Sequence, residues 1–142
     1  MRSTSEAGFT LIEILVVIAV IAVLASLVSP MVFQNVGDAK HSTALAQIEV
    51  FALALDGYRL DVGEYPSTAL GLEALRAEPA SGSIRGWRGP YLRREVPNDP
   101  WDRPYVYRSP GIENPTFYDL VSYGRDGEPG GEGENADIES WR

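Results

Sequence analysis

Apolar residues run almost unbroken from Phe9 to Val28, interrupted by Thr10, Glu13 and Ser26, and no charged side chain stands between Glu13 and Asp38. About twenty such residues in a helix rise about 30 Å, the thickness of a bilayer's hydrocarbon core. A backbone crossing lipid must satisfy its own hydrogen bonds, so the segment is predicted to be helical. Beyond it, Ala44, Ile48, Phe51, Leu55 and Tyr58 recur at spacings that place them on one helical face, with Asp38, Lys40, Glu49, Asp56 and Arg59 largely off that stripe. The pattern predicts one helix from about Phe9 to about Tyr58, apolar all round at first and amphipathic later. Pro30 and Gly37 threaten its continuity, as a kink and a soft spot. The first half should face lipid or other subunits, and the second should pack on its own domain.

After Gly57 the pattern changes. Gly63-Glu64-Tyr65-Pro66 reads as a turn, and Ser67 as the cap of a short helix that points Leu72 and Leu75 inward and ends by Pro79. Residues 80–89 form a Gly/Ser loop anchored by the aromatics of Gly86-Trp87-Arg88-Gly89-Pro90-Tyr91-Leu92. Pro97-Asn98-Asp99-Pro100-Trp101 is too broken for a regular element. Tyr105-Val106-Tyr107 and residues 117–123 read as two antiparallel strands. The expected class is α+β: a long N-terminal helix, its first half transmembrane, packed on a small antiparallel sheet with a C-terminal loop.

Composition removes several functions. The chain has 142 residues, room for one domain with an appendage. Lys+Arg 12 against Asp+Glu 20 gives a net charge of -8, which argues against nucleic-acid binding. Without cysteine there is no disulfide, thiolate metal site or cysteine nucleophile. His41 is the single histidine. No nucleophile-base arrangement is visible, and the acids crowd a terminal loop, so the chain is not expected to be an enzyme.

The start is the most specific signal. Gly8-Phe9-Thr10-Leu11-Ile12-Glu13 follows a short polar leader and opens directly into the apolar run. It resembles the type III signal of type IV pilins and pseudopilins, which prepilin peptidase cuts after the glycine before methylating the new N-terminus. The resemblance makes Gly8 the last leader residue and Phe9 the methylated first residue of the mature chain. The other reading is a secretory signal peptide cut near Ala25-Ser26, but the apolar run exceeds an ordinary signal core. Cleavage before Phe9 leaves the anchor attached and creates an ammonium one helical turn from Glu13. A carboxylate in a membrane helix usually marks a partner or a function. Two readings stay open. Glu13 either sits shallow at the positive helix end, or pairs with the Phe9 amine of an adjacent subunit during assembly.

Three further sets, Glu64-Tyr65-Pro66, residues 86–92, and Pro97-Asn98-Asp99-Pro100-Trp101-Asp102-Arg103-Pro104-Tyr105, are similar to the major pseudopilin family of type II secretion. One departure is Asp102, where the family usually has glycine; a left-handed turn there costs Asp less than most residues. These aromatics and prolines read as loop-setting, with Trp87 or Trp101 as subunit contacts in the alternative. The resemblance implies a type IV pilin-like fold. It divides the chain into a leader (1–8), a transmembrane and polymerisation helix (9–30) and a periplasmic domain (31–142). It also implies a homopolymeric pseudopilus that exports folded proteins. The partners implied are minor pseudopilins, prepilin peptidase and an inner-membrane assembly platform. A type IV pilin of an adhesion or motility fibre is the rival reading.

The tail carries Asp119, Asp126, Glu128, Glu132, Glu134, Asp137 and Glu139 against Arg125 and Arg142, with glycines at 127, 130, 131 and 133. Self-repulsion should hold it open. A calcium ion would neutralise it and use glycine-freed carbonyls in a flexible oxygen cage. Asp126, Gly131 and Asp137 match EF-hand spacing, yet Gly130 has no side chain to offer and no flanking helices are expected. It is not an EF-hand, and composition leaves a solvated tail equally open. The sequence Ser122-Tyr123-Gly124-Arg125-Asp126-Gly127 followed by Gly130-Gly131-Glu132-Gly133 and Ala136-Asp137-Ile138 resembles the calcium loop of major pseudopilins. That resemblance implies Asp126 and Asp137 as side-chain ligands and Leu120, Ser122 and Tyr123 as candidate carbonyls. Glu132, Glu134 and Glu139 are weaker candidates.

Overall fold

The computed structural model describes residues 8–80 and 84–142, less the side chains of residues 28–34. Residues 1–7 of the leader and the side chain of Pro30 therefore lie outside the described residues. One helix dominates: α1, Leu11–Val62, 52 residues. It starts two residues later than the apolar pattern because Thr10 serves as its N-cap. It runs four residues past Tyr58 and stops at Gly63, which takes φ 98 and donates its N–H to the Arg59 carbonyl at 2.8 Å.

The chain divides into two compact units between Val36 and Gly37, a boundary inside α1. In the first unit every described side chain of residues 8–27 is exposed. No helix among the described residues is long and apolar enough to cross a membrane. The described apolar stretch, residues 11–27, rises about 26 Å, against a hydrocarbon core of about 30 Å.

The second unit holds the core. The helical stripe read from the sequence is buried as expected: Ala44 and Leu55 are fully covered, with Ile48, Phe51 and Tyr58 beside them. Each large apolar side chain so buried contributes roughly 1.5–3 kcal/mol. Leu72 and Leu75 point into the same core from a 3-10 turn, Leu72–Leu75. Ser67 does not cap it with its side chain. The turn is preceded by Gly71 at φ 62, and the Ser67 carbonyl instead accepts the N–H groups of Leu70 and Gly71. The short helix stops at Leu75, well before Pro79, because the Leu75 carbonyl turns to accept the N–H groups of Tyr91 and Leu92.

The sheet has three antiparallel strands in the order β1 (Val106–Arg108), β2 (Asp119–Ser122) and β3 (Ile138–Glu139). Tyr107 stands opposite Leu120 and Ser122 opposite Ile138, so these four share the face turned to the core. Val106, Arg108, Asp119, Val121 and Glu139 alternate onto the other face. The expected strand pair is present, and β3 is added to it. The tail is therefore ordered: it forms a 3-10 turn, Gly133–Asn135, and then an edge strand.

The aromatic motifs brace this unit. Tyr65 lies under the Arg59 guanidinium at 4.9 Å and donates its hydroxyl hydrogen to Asp56 Oδ1 at 2.9 Å. The Pro66 carbonyl accepts from the Tyr107 hydroxyl at 2.8 Å. Trp87 donates Nε1–H to the Ala74 carbonyl at 2.9 Å, while Tyr91 packs edge-on to Tyr58 and hydrogen-bonds Asp61. Both Trp87 and Trp101 are half-buried within their own unit.

Candidate functional site

Two places carry the residues singled out by the sequence. At the first, Gly8 and Phe9 precede the helix in non-helical, exposed chain, and Phe9 is 81% exposed. A Cβ at Gly8 would meet nothing within 4 Å. Thr10 and Glu13 form a reciprocal cap. Glu13 donates its N–H to Thr10 Oγ1 at 3.3 Å, and Glu13 Oε2 accepts from the Thr10 N–H at 3.3 Å. This satisfies two of the donors a helix start leaves unpaired. The carboxylate also meets the positive end of the helix. The signal was legible, since Thr-x-x-Glu ahead of an apolar run is a capping-box pattern. It gives Glu13 a partner within its own chain.

The second place is the C-terminal loop. Residues 124–127 turn back against residues 134–137: Arg125 donates its N–H to the Glu134 carbonyl at 2.9 Å, and a Cβ at Gly124 would sit 2.8 Å from the Ala136 carbonyl oxygen. Gly124, Gly127, Gly130 and Gly131 all take positive φ, so the tail folds back where self-repulsion was expected to hold it open. Asp137 Oδ2 accepts the Gly130 N–H at 2.8 Å, while its Oδ1 is buried with no hydrogen-bond partner. Asp126 is exposed and Oδ1 accepts the Glu128 N–H at 3.2 Å. The Leu120 carbonyl accepts from the Ser140 N–H, the Tyr123 carbonyl accepts from Gly127, and Ser122 is buried.

Two of the weaker acidic candidates are engaged elsewhere. Glu134 pairs with Arg125 at 3.0 Å, and Glu139 Oε2 lies 2.9 Å from Arg142 Nε without hydrogen-bond alignment. Among the described residues no three acidic or histidine side chains converge as a metal cluster. A cation held here would rest on two carboxylates and on carbonyls. One feature suits that demand: Asp137 Oδ1 is a buried acceptor without a hydrogen-bond partner.

Two polar residues around this loop, Asp99 and Arg103, were not singled out by the sequence reading. Asp99 Oδ1 accepts the N–H groups of Trp101 and Arg103, and its Oδ2 accepts the Ser122 hydroxyl. Arg103 reaches from that same turn to the carbonyls of Gly124 and Arg125. Asp119, counted with the tail acids and standing at the start of β2, spends its carboxylate on the N–H groups of Ile112, Glu113 and Asn114, so it holds the loop between β1 and β2 and not the tail. The expectation for Asp102 is met: it takes φ 65.

The matches to known proteins follow this architecture. Residues 31–141 match the family model of type II secretion system protein G, and residues 3–29 match the prokaryotic N-terminal methylation motif. The chain belongs to the type II secretion protein G family. Within that family it is similar to the type II secretion system core protein G of Pseudomonas aeruginosa, at 42% identity over 142 residues, covering 99% of each chain. The corresponding core protein G of Vibrio cholerae is 42% identical over 141 residues, covering 99% of this chain and 94% of its own. Among solved structures, the chain resembles the crystallised major pseudopilin from the type 2 secretion system of enterohaemorrhagic Escherichia coli. That match has a TM-score of 0.62 and 35% identity, and covers 75% of this chain and 90% of the other. The long helix with its small antiparallel sheet is thus the type IV pilin-like fold of a major pseudopilin.

Proposed function

We propose that this chain is the major, non-catalytic subunit of a type II secretion pseudopilus, a periplasmic filament that drives folded proteins across the outer membrane. One observation carries the reading: similarity to core protein G runs the full length of the chain, so the methylation motif and the secretion-family head occur in one polypeptide in the same order. Prepilin peptidase removes residues 1–8 and methylates Phe9. The exposed, non-helical Gly8–Phe9 junction supports access to that bond.

Residues 9–30 then anchor the mature chain in the inner membrane as a single span, with the head in the periplasm. Support comes from the apolar surface exposed on every described side of residues 11–27. An assembly platform and minor pseudopilins draw these chains into a homopolymer. Burying that surface among its copies exchanges lipid contact for protein contact and never exposes it to water. Glu13 meets the new Phe9 ammonium of a neighbouring subunit, which neutralises both charges as the helices bundle.

The C-terminal loop holds calcium through Asp126 and Asp137, with Leu120, Ser122 and Tyr123 as carbonyl donors. Calcium supplies positive charge to an acidic loop and ties its two ends together. The unpaired Asp137 oxygen and the positive-φ glycines support this.

Intact-mass analysis of membrane-extracted protein tests the whole reading. The expected species lacks residues 1–8, carries one added methyl and forms fibres on overexpression. A soluble monomer beginning beyond residue 28 would overturn it.

A further inference from the structure

The loop that closes the sheet is acidic, yet a base is placed against two of its backbone carbonyls. Arg103 Nη1 donates to the Gly124 carbonyl at 2.8 Å and also to the Arg125 carbonyl. A Cβ at Gly127 would lie 2.7 Å from Arg103 Nε, so the turn passes flush against the guanidinium. The backbone of Arg103 is itself fixed. Its N–H donates to Asp99 Oδ1 at 2.9 Å, and its carbonyl accepts the Asp99 N–H at 2.7 Å. The turn that precedes it is closed by Asp102, whose N–H reaches the Asp99 carbonyl at 2.9 Å. Arg103 is half-buried and aimed from a turn held by these bonds, so little side-chain freedom remains to be lost when it meets the carbonyls.

We propose that Arg103 is a built-in cation of this loop, a positioning residue that holds the Gly124–Gly127 turn and supplies part of the positive charge the acidic tail needs. Two carbonyls bonded to one charged donor make charge-assisted hydrogen bonds, stronger than the neutral ones they replace. The consequence for calcium rests on the reading given above. A loop already braced by Arg103 depends less on the metal for its order, and the nearby positive charge opposes metal binding. Loss of Arg103 should therefore make the protein more dependent on calcium, not merely less stable.

The test compares full-length, detergent-solubilised protein with R103M, R103K and R103Q, each melted in calcium chloride and in chelator. In chelator R103M should melt lower than wild type by on the order of 5 °C. In calcium the deficit should be less than half of that. R103K, which keeps a charged donor, should stay near wild type, and R103Q should follow R103M. Hydrogen exchange of residues 120–127 should quicken in R103M. An equal deficit with and without calcium would show an ordinary packing contact and overturn the proposal. If wild type itself ignores calcium, the calcium reading falls and exchange decides alone: faster exchange in R103M sustains the brace, and unchanged exchange removes it. If R103M does not fold, the contrast between R103Q and R103K decides the same point.

Discussion

Ser122 donates its hydroxyl hydrogen to Asp99 Oδ2 at 2.5 Å, with both residues buried. The bond joins the end of β2 to the Pro97–Trp101 loop across 23 positions of sequence. Asp99 also accepts two backbone N–H groups with its other oxygen. Removing the hydroxyl leaves a buried carboxylate oxygen without its donor. We expect S122A to lose about 1.5–3 kcal/mol in urea unfolding. D99N should lose at least as much, since an amide offers only one acceptor oxygen. A midpoint unchanged in both variants would show that the contact is not made in solution.

Gly86 takes φ 92, and a Cβ there would collide with the Asp61 carbonyl oxygen at the end of α1. Neither partner can yield, because both atoms belong to backbone. G86A should therefore be destabilised by about 1–3 kcal/mol. Thermal melting checks this, with G63A as the comparison: Gly63 has φ 98 but open space around its Cβ position, so it carries the conformational strain alone.

Glu13 has two partners to separate: the Thr10 cap seen in the chain and the Phe9 ammonium of a neighbour. E13Q keeps a side-chain acceptor for the cap but removes the charge. T10A removes the hydroxyl, at a cost of about 0.5–2 kcal/mol to the helix start, and leaves the charge in place. Both should be processed normally. If charge pairing governs assembly, E13Q yields few filaments and T10A yields many, read by electron microscopy of sheared fibres. The reverse order would assign Glu13 to the cap.

Chelation should lower the melting temperature of the wild-type protein, and D126A or D137A should abolish that response. At a calcium concentration of 100 times Kd the stabilisation is about 2.7 kcal/mol. A melting curve indifferent to calcium in wild type and variants alike would remove the metal from the loop.

Alkaline pH should unfold the head from its tyrosines. Burial pushes Tyr118 up to about 12 from its ordinary 10.0, with the negative charge of Asp56 adding to it, and burial raises Tyr105 and Tyr107 as well. Above pH 10 the unfolded chain loses tyrosine protons that the folded chain keeps. Stability is thus complete below about pH 10 and declines as pH climbs towards 12. The urea midpoint measured at several pH values between 9 and 11.5 checks this. Y118F should flatten the decline, and a flat wild-type profile would refute it.

Much of the fold was legible along the chain because it is written in local repetition. A stripe from Ala44 to Tyr58 at helical spacing specifies which face of α1 is buried, and that face is the core. Glu64-Tyr65-Pro66 and the Trp87 loop announce fixed turns, since aromatics and prolines restrict the backbone wherever they stand. The cleavage and methylation signal is likewise contiguous, and so is the Thr10–Glu13 cap.

Other features had no local signature. β3 is two residues long, too short to show alternation, and exists only because β2 offers an open edge. Asp119 looks like one more tail acid until the fold sets it under the N–H groups of residues 112–114. Glu134 and Glu139 look like oxygen donors until Arg125 and Arg142 reach them. Arg103 is an unremarked base in a broken loop until the chain returns 21 positions later with bare carbonyls. The sequence alone determined the helix, its buried face and the processing signal, because each depends on neighbours within a few residues. Tertiary structure decided which acids are spoken for and which charge braces the loop. Those depend on which distant backbone groups are left unpaired, and a single chain read in order does not display that.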